Sequence, residues 1–179
     1  MLTLEIDIEA PWPQAGAQAS AKACDWEALA NRAASAAAGV APELANDRLL
    51  ASLLFTADDN VRALNRDWRA RDEATNVLSF PMLDRADLLG LTGDGPPELL
   101  GDIALAYETC AREAADKGLA VAVHATHLII HGLLHLAGYD HVASIAQAEA
   151  MEALEIKALA SLGLGNPYTA PGWADGATG

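Results

Sequence analysis

Positive charge is scarce in this chain. Of 179 residues only 11 are Lys or Arg, against 25 Asp or Glu, for a formal charge of −14 and an isoelectric point near 4.5. Such a balance argues against broad, sequence-blind binding to nucleic acid, and no DNA partner is expected. Cysteine is nearly absent. Cys24 and Cys110 lie far apart and form no C-x-x-C pair, so buried thiols are expected and a disulfide framework is not. No apolar run reaches the roughly 18 residues of a membrane span. The N-terminal MLTLEIDIEA carries acids where a secretion signal carries basic residues. These absences point to the cytoplasm and to no membrane partner. There is no internal repeat, and the length suits one domain over residues 1–162. A loosely ordered tail is expected over 163–179, where Pro and Gly recur without period.

The patterns that are present alternate between strand and helix periods. LTLEIDI (2–8), RLLASLLFT (48–56), TNVLSFP (75–81) and LLGDIALA (99–106) read as four strands, the third ending at Pro81 or lying at an edge. Residues 10–24 read as a loop. A helix runs from Asp25 to Gly39, and another towards Trp68, with Thr56, Asp58 or Asp59 as its cap. Residues 84–98, with three glycines and two prolines, read as a mobile loop. Helices follow over 107–117, 121–138 and 144–162. The 121–138 helix is apolar almost all round, so it belongs in the centre. The expected fold is α+β: one domain with a four-stranded mixed sheet, about five helices and a buried central helix.

That central helix ends in HGLLHLAGYDH (131–141). His131 and His135 are four apart, so they share one helix face. Gly138 suits the left-handed position that ends a helix, and lets the chain fold back with His141. Three neutral imidazoles leave the fourth tetrahedral position of a zinc ion open, a catalytic rather than a structural arrangement. The expected site is one zinc ion on His131, His135 and His141. His127, one turn earlier, cannot join them: His127 and His135 are ~12 Å apart along the axis, against zinc–nitrogen bonds of about 2.0–2.1 Å. His127 and His124 are left as ligand-supporting, substrate-facing or structural residues. Asp102 is a polar residue in an apolar strand. It suits a supporting partner for one of the histidines and equally a structural role.

H-x-x-x-H-x-x-G-x-x-H is also a zinc-peptidase frame, but those enzymes place Glu directly after the first His as general base. Here that position is Gly132. Amide hydrolysis needs the base to carry a proton to a poor leaving amine, so a metallopeptidase ranks last. Phosphodiester chemistry instead needs cations where charge develops on the phosphoryl oxygens. Four of the basic residues, Arg62, Arg66, Arg69 and Arg71, fall within VRALNRDWRAR (61–71). This cluster, just before the third strand, is the candidate source of such a cation if the sheet brings it beside the helix. An ordinary solvated helix face explains the arginines equally well.

LNRDWRARDEATNVLSFP (64–81), LLGDIALA (99–106) and HGLLHLAGYDH (131–141), in that order, resemble the YbeY-type endoribonucleases, the bacterial rRNA maturation factors. The resemblance covers most of 64–141. It implies a metal-dependent, single-strand-specific endoribonuclease acting in 16S rRNA 3′-end maturation and ribosome quality control, with contact to the small ribosomal subunit. It carries zinc ligation onto His131, His135 and His141, and a functional arginine onto Arg69, which makes Arg69 the candidate catalytic cation, with Arg66, Arg71 and His127 as candidate substrate contacts. Trp68 stands where the family often has Tyr, and Asn76 where Asp is common. The alternative of a different class is a non-catalytic ribosome assembly factor with a structural metal.

Overall fold

The computed structural model describes residues 1–13 and 24–169. Its sheet has four strands: β1 (Thr3–Ile8), β2 (Leu49–Thr56), β3 (Val77–Pro81) and β4 (Glu98–Ala106). They lie in the order β1-β2-β4-β3, with β1–β2 and β2–β4 parallel and β3–β4 antiparallel. The sheet is therefore mixed, and β3 is an edge, which is where a strand can end on Pro81. Six α-helices accompany it: α1 (Trp26–Val40), α2 (Asp58–Arg69), α3 (Arg85–Leu89), α4 (Tyr107–Asp116), α5 (Val121–Leu136) and α6 (Ile145–Ser161). No single described helix is long and apolar enough to cross a membrane.

Strand alternation sorts the side chains onto two faces. Leu53, Phe55, Ile103 and Leu105 join the main core with α1, α5 and α6. Their neighbours Leu54, Ala104 and Ala106 face the other way and pack with Val61 and Leu64 of α2. Helix α5 is the centre of the main core. Ile129, Ile130, Leu133 and Leu134 are fully buried there, each stabilising the fold by about 1.5–3 kcal/mol. Gly132 lets this helix approach the sheet: a Cβ there would lie 3.0 Å from Ile103 Cδ1.

Two expectations are revised by the packing, and a stretch read as loop also carries a core residue. The stretch 84–98 holds α3, whose Leu88 is buried, and is tied down by Arg48, which donates to the carbonyls of Pro96 (2.9 Å) and Thr92 (3.1 Å). Asp58 does not cap its own helix. Its carboxylate accepts from the backbone N–H (3.0 Å) and hydroxyl (2.8 Å) of Thr109 in the first turn of α4, where an anion meets free backbone donors. In the expected loop 10–24, Trp12 is buried against Trp26, Phe55 and Tyr107, edge to face, and donates to the Thr56 carbonyl at 2.8 Å. Residues 14–23 of that loop lie outside the described residues. Both thiols are free, Cys110 buried and Cys24 half-buried.

A three-histidine candidate metal centre

His131 and His135 project from one face of α5, a turn apart. The helix then closes with Gly138 N–H donating to His135 O (2.9 Å) and Tyr139 N–H to Leu134 O (3.1 Å), the paired bonds of a left-handed helix stop. Gly138 sits at φ 95°, a conformation that costs glycine least. Arg85 clamps this turn. It donates to the Ala137 carbonyl (2.6 Å) and to Glu43 (3.1 Å), and its guanidinium lies 4.5 Å from the Tyr139 ring centroid. The Tyr139 hydroxyl donates to the same Glu43 at 2.8 Å.

The turn returns His141 to the helix face. One ring nitrogen from each of His131, His135 and His141 lies within 4.8 Å of the others, and His135 Nε2 is 2.9 Å from His141 Nδ1. Ligands of one tetrahedral zinc ion lie roughly 3.3 Å apart, so the set fits a single ion after small ring rotations. Burial, with the neighbouring His131 and His141, holds the His135 ring down at about 4, so it is the neutral imidazole a cation requires.

Behind His131 stands a residue that the sequence did not mark. Glu155 of α6 is 1% exposed. Its Oε1 accepts from His131 Nδ1 (2.7 Å) and His127 Nε2 (3.0 Å). Burial pushes this carboxyl up, but the hydrogen bonds from His127 and His131 outweigh burial and hold it at about 2. Burial also lowers His127, against the pull of Glu155, so a neutral ring donates to an ionised carboxylate. With its Nδ1 engaged, His131 has Nε2 left for an ion.

The histidines open onto a cavity of about 570 Å³ that Arg69 and Arg71 also line, with Asn65, Ser79 and Asp140. Arg69, at the end of α2, reaches the edge strand and donates to the Ser79 carbonyl at 2.8 Å. The arginine cluster thus divides. Arg69 and Arg71 face the histidines, whereas Arg62 is paired with Asp72 (2.8 Å) and Arg66 with Asp67 (3.1 Å).

Other candidate residues are placed elsewhere. Arg66 is not among the residues lining this cavity. His127 is buried on Glu155 and is not among the residues lining this cavity. His124 is buried on Glu113 at 2.8 Å. Asp102 is not behind a histidine: it shares the α2 side of the sheet with Ala104 and lines a separate apolar cavity with Leu54, Trp68 and Phe80. Register decides this, since Ile103, its neighbour, takes the α5 side. Gly132 likewise faces the sheet, so no side chain at that position points at the histidines.

The fold and site define an α+β protein with three imidazoles able to hold a cation, lining one cavity with two arginines. The family model described as endoribonuclease YbeY matches residues 15–163. Curated relatives named endoribonuclease YbeY include one from Erythrobacter litoralis, 60% identical over 93% of this chain and 98% of its own. Another, from Novosphingobium aromaticivorans, is 55% identical over 92% and 95%. The chain belongs to the YbeY endoribonuclease family, a family of nucleases for which RNA is the implied substrate class. A solution structure of a Thermotoga maritima protein, 18% identical, aligns over 89% of this chain and 91% of that one with a TM-score of 0.53, a likeness of fold alone.

Proposed function

We propose that this protein is a zinc-dependent endoribonuclease of single-stranded RNA, with Arg69 as its principal phosphate-binding cation. The observation that carries the proposal is that the three histidines and two arginines, Arg69 and Arg71, line one cavity. Amide chemistry is not supported, because the position of a peptidase base, Gly132, packs on Ile103.

His131, His135 and His141 would hold one zinc ion, which supplies Lewis-acid polarisation of a phosphoryl oxygen or activation of water. Arg69 spends one N–H on Ser79 and retains donors for non-bridging phosphate oxygens, where charge-assisted hydrogen bonds are strongest. Arg71 extends the cationic wall along the strand path. Asp140 accepts from the Val142 N–H at 2.8 Å and so steadies the backbone beside His141. Glu155 holds the His131 tautomer.

The resemblance of the three motifs to bacterial rRNA maturation factors supports single-strand specificity, 16S rRNA 3′-end maturation and ribosome quality control as the role. It also supports the small ribosomal subunit as partner and the cytoplasm as location. The test is incubation of purified protein with a single-stranded RNA spanning the 16S 3′ end and with its duplex form. We expect cleavage of the single strand, loss of at least tenfold in rate for Arg69→Ala, and little cleavage of the duplex. Equal rates for wild type and Arg69→Ala would overturn the assignment of Arg69. A chain that cleaves no RNA but still binds small subunits would mark a non-catalytic assembly factor.

A further inference from the structure

The last helix carries a charge in the middle of its buried face. Met151, Ala158 and Leu159 are fully buried, and Glu155 lies among them, 1% exposed. A carboxylate in such a place is strongly destabilising unless donors surround it. Two are His127 and His131, both on Oε1. The third comes from beyond the helix: the Tyr168 hydroxyl donates to Oε2 at 2.6 Å.

Tyr168 is delivered by a small built turn. Its N–H donates to Asn166 Oδ1 (2.8 Å), and the Thr169 hydroxyl donates to the Asn166 carbonyl (2.9 Å). Pro167 between them is buried. The Tyr168 ring stands edge-on to His127, with centroids 5.6 Å apart and planes at 85°. The segment expected to be loose begins at Gly163. Its described part, to Thr169, therefore reaches the carboxylate that holds His131, and 170–179 lie outside the described residues.

Without the Tyr168 hydroxyl, Oε2 becomes a buried acceptor with no donor. The carboxylate then gains by turning to share His127 and His131 between its two oxygens, and the His131 ring loses its fixed angle. We propose that the 166–169 turn is an arm of the histidine centre: Tyr168, acting through Glu155, is a positioning residue for His131, and a bound ion in turn holds the turn in place. The inference rests on the reading that the three histidines hold a metal ion. Its second half follows from linkage, since two sites that favour each other's order do so reciprocally.

The test uses the full-length chain with Tyr168→Phe and Glu155→Gln. Zinc affinity is measured by competition with a chromophoric chelator, and the thermal midpoint is measured on the metal-free proteins. We expect zinc to bind 10–100-fold more weakly to Glu155→Gln, the usual effect of losing a partner behind a ligand. Tyr168→Phe should weaken it several-fold, roughly, and also lower the metal-free midpoint by about 2–4 °C, since Oε2 loses its donor. A merely structural role would move the midpoint and leave zinc affinity unchanged. Hydrogen exchange supplies the reciprocal readout: zinc should slow exchange in 166–169 of wild type and not of His135→Ala. Wild-type zinc affinity in both variants, or exchange there indifferent to zinc, overturns the proposal alone. A wild-type chain that takes up no zinc overturns the metal reading and this proposal with it.

Discussion

Gly132 is the residue whose meaning changed most between sequence and structure, and it can be tested by adding one methyl group. In the sequence it marks a missing base. In the structure it is the point where α5 meets β4. A Cβ at 132 would lie 3.0 Å from Ile103 Cδ1, 3.3 Å from Cγ2 and 3.4 Å from Cγ1. Gly132→Ala gains about 0.8–1 kcal/mol of helix propensity. Against this, overpacking a filled core costs about 1–3 kcal/mol, and Ile103 is 2% exposed. The net expectation is a loss of about 1 kcal/mol, read as a fall of about 2–4 °C in thermal midpoint for a domain of this size. The nearest clash is with Cδ1, which Ile103→Val removes. Alone, Ile103→Val should cost about 0.5–1.5 kcal/mol. In the Gly132→Ala background it should cost less, by about 0.5 kcal/mol or more, as expected of side chains in contact. Denaturant melts of the two single variants and the double variant measure this coupling. The packing argument is refuted if Gly132→Ala is at least as stable as wild type and Ile103→Val costs the same in both backgrounds. Gly132→Glu should not create a peptidase, because its carboxylate would enter the core.

Arg85→Ala should loosen the turn that carries His141, weakening zinc binding roughly tenfold. Arg85→Lys should not restore it, since an ammonium lacks the fork and the stacking plane; chelator competition checks both. Metal-free stability should rise with pH between about 4 and 6.5. In that window an unfolded His135 is protonated while the folded ring, held near 4, is not, so the unfolded chain binds more protons. The full shift corresponds to about 3 kcal/mol; screening of a ring that solvent reaches leaves about 1–2 kcal/mol. Urea midpoints at pH 4.5 and 7 that coincide would contradict this. With two arginines in the cavity that form no ion pair among the described residues, the affinity of the metal-free protein for single-stranded RNA should fall with a log–log salt slope of about −1.4. A slope steeper than about −4 would mean that a larger surface binds the RNA.

Much of this was legible from local pattern. Alternation found the first strand because its two faces meet different surroundings, short apolar runs found the other three, and the near-continuous apolar run found α5 because it is buried all round. The histidine triad was legible because i, i+4 spacing and a helix-ending glycine fix geometry over only eleven residues. What was hidden depends on contacts across the chain. Glu155 reads as one more acid on an amphipathic helix until α6 is laid against α5, 24 residues away. Arg85 sits beside a Gly- and Pro-rich stretch and gains its role only by meeting Ala137. The side of the sheet taken by Asp102 follows from register, and the division of the arginines from Asp67 and Asp72, which a count of basic residues does not weigh. The burial of Trp12 in an apparent loop needed partners from three other elements.

The central claim is that one metal ion on His131, His135 and His141 enables RNA cleavage beside Arg69. Titrating zinc into metal-free protein while following cleavage of single-stranded RNA tests it most directly. The account predicts no cleavage without metal, a rise that breaks at one equivalent per chain, and no recovery in His135→Ala. Cleavage that persists under chelation at the wild-type rate, in both wild type and His135→Ala, would contradict it.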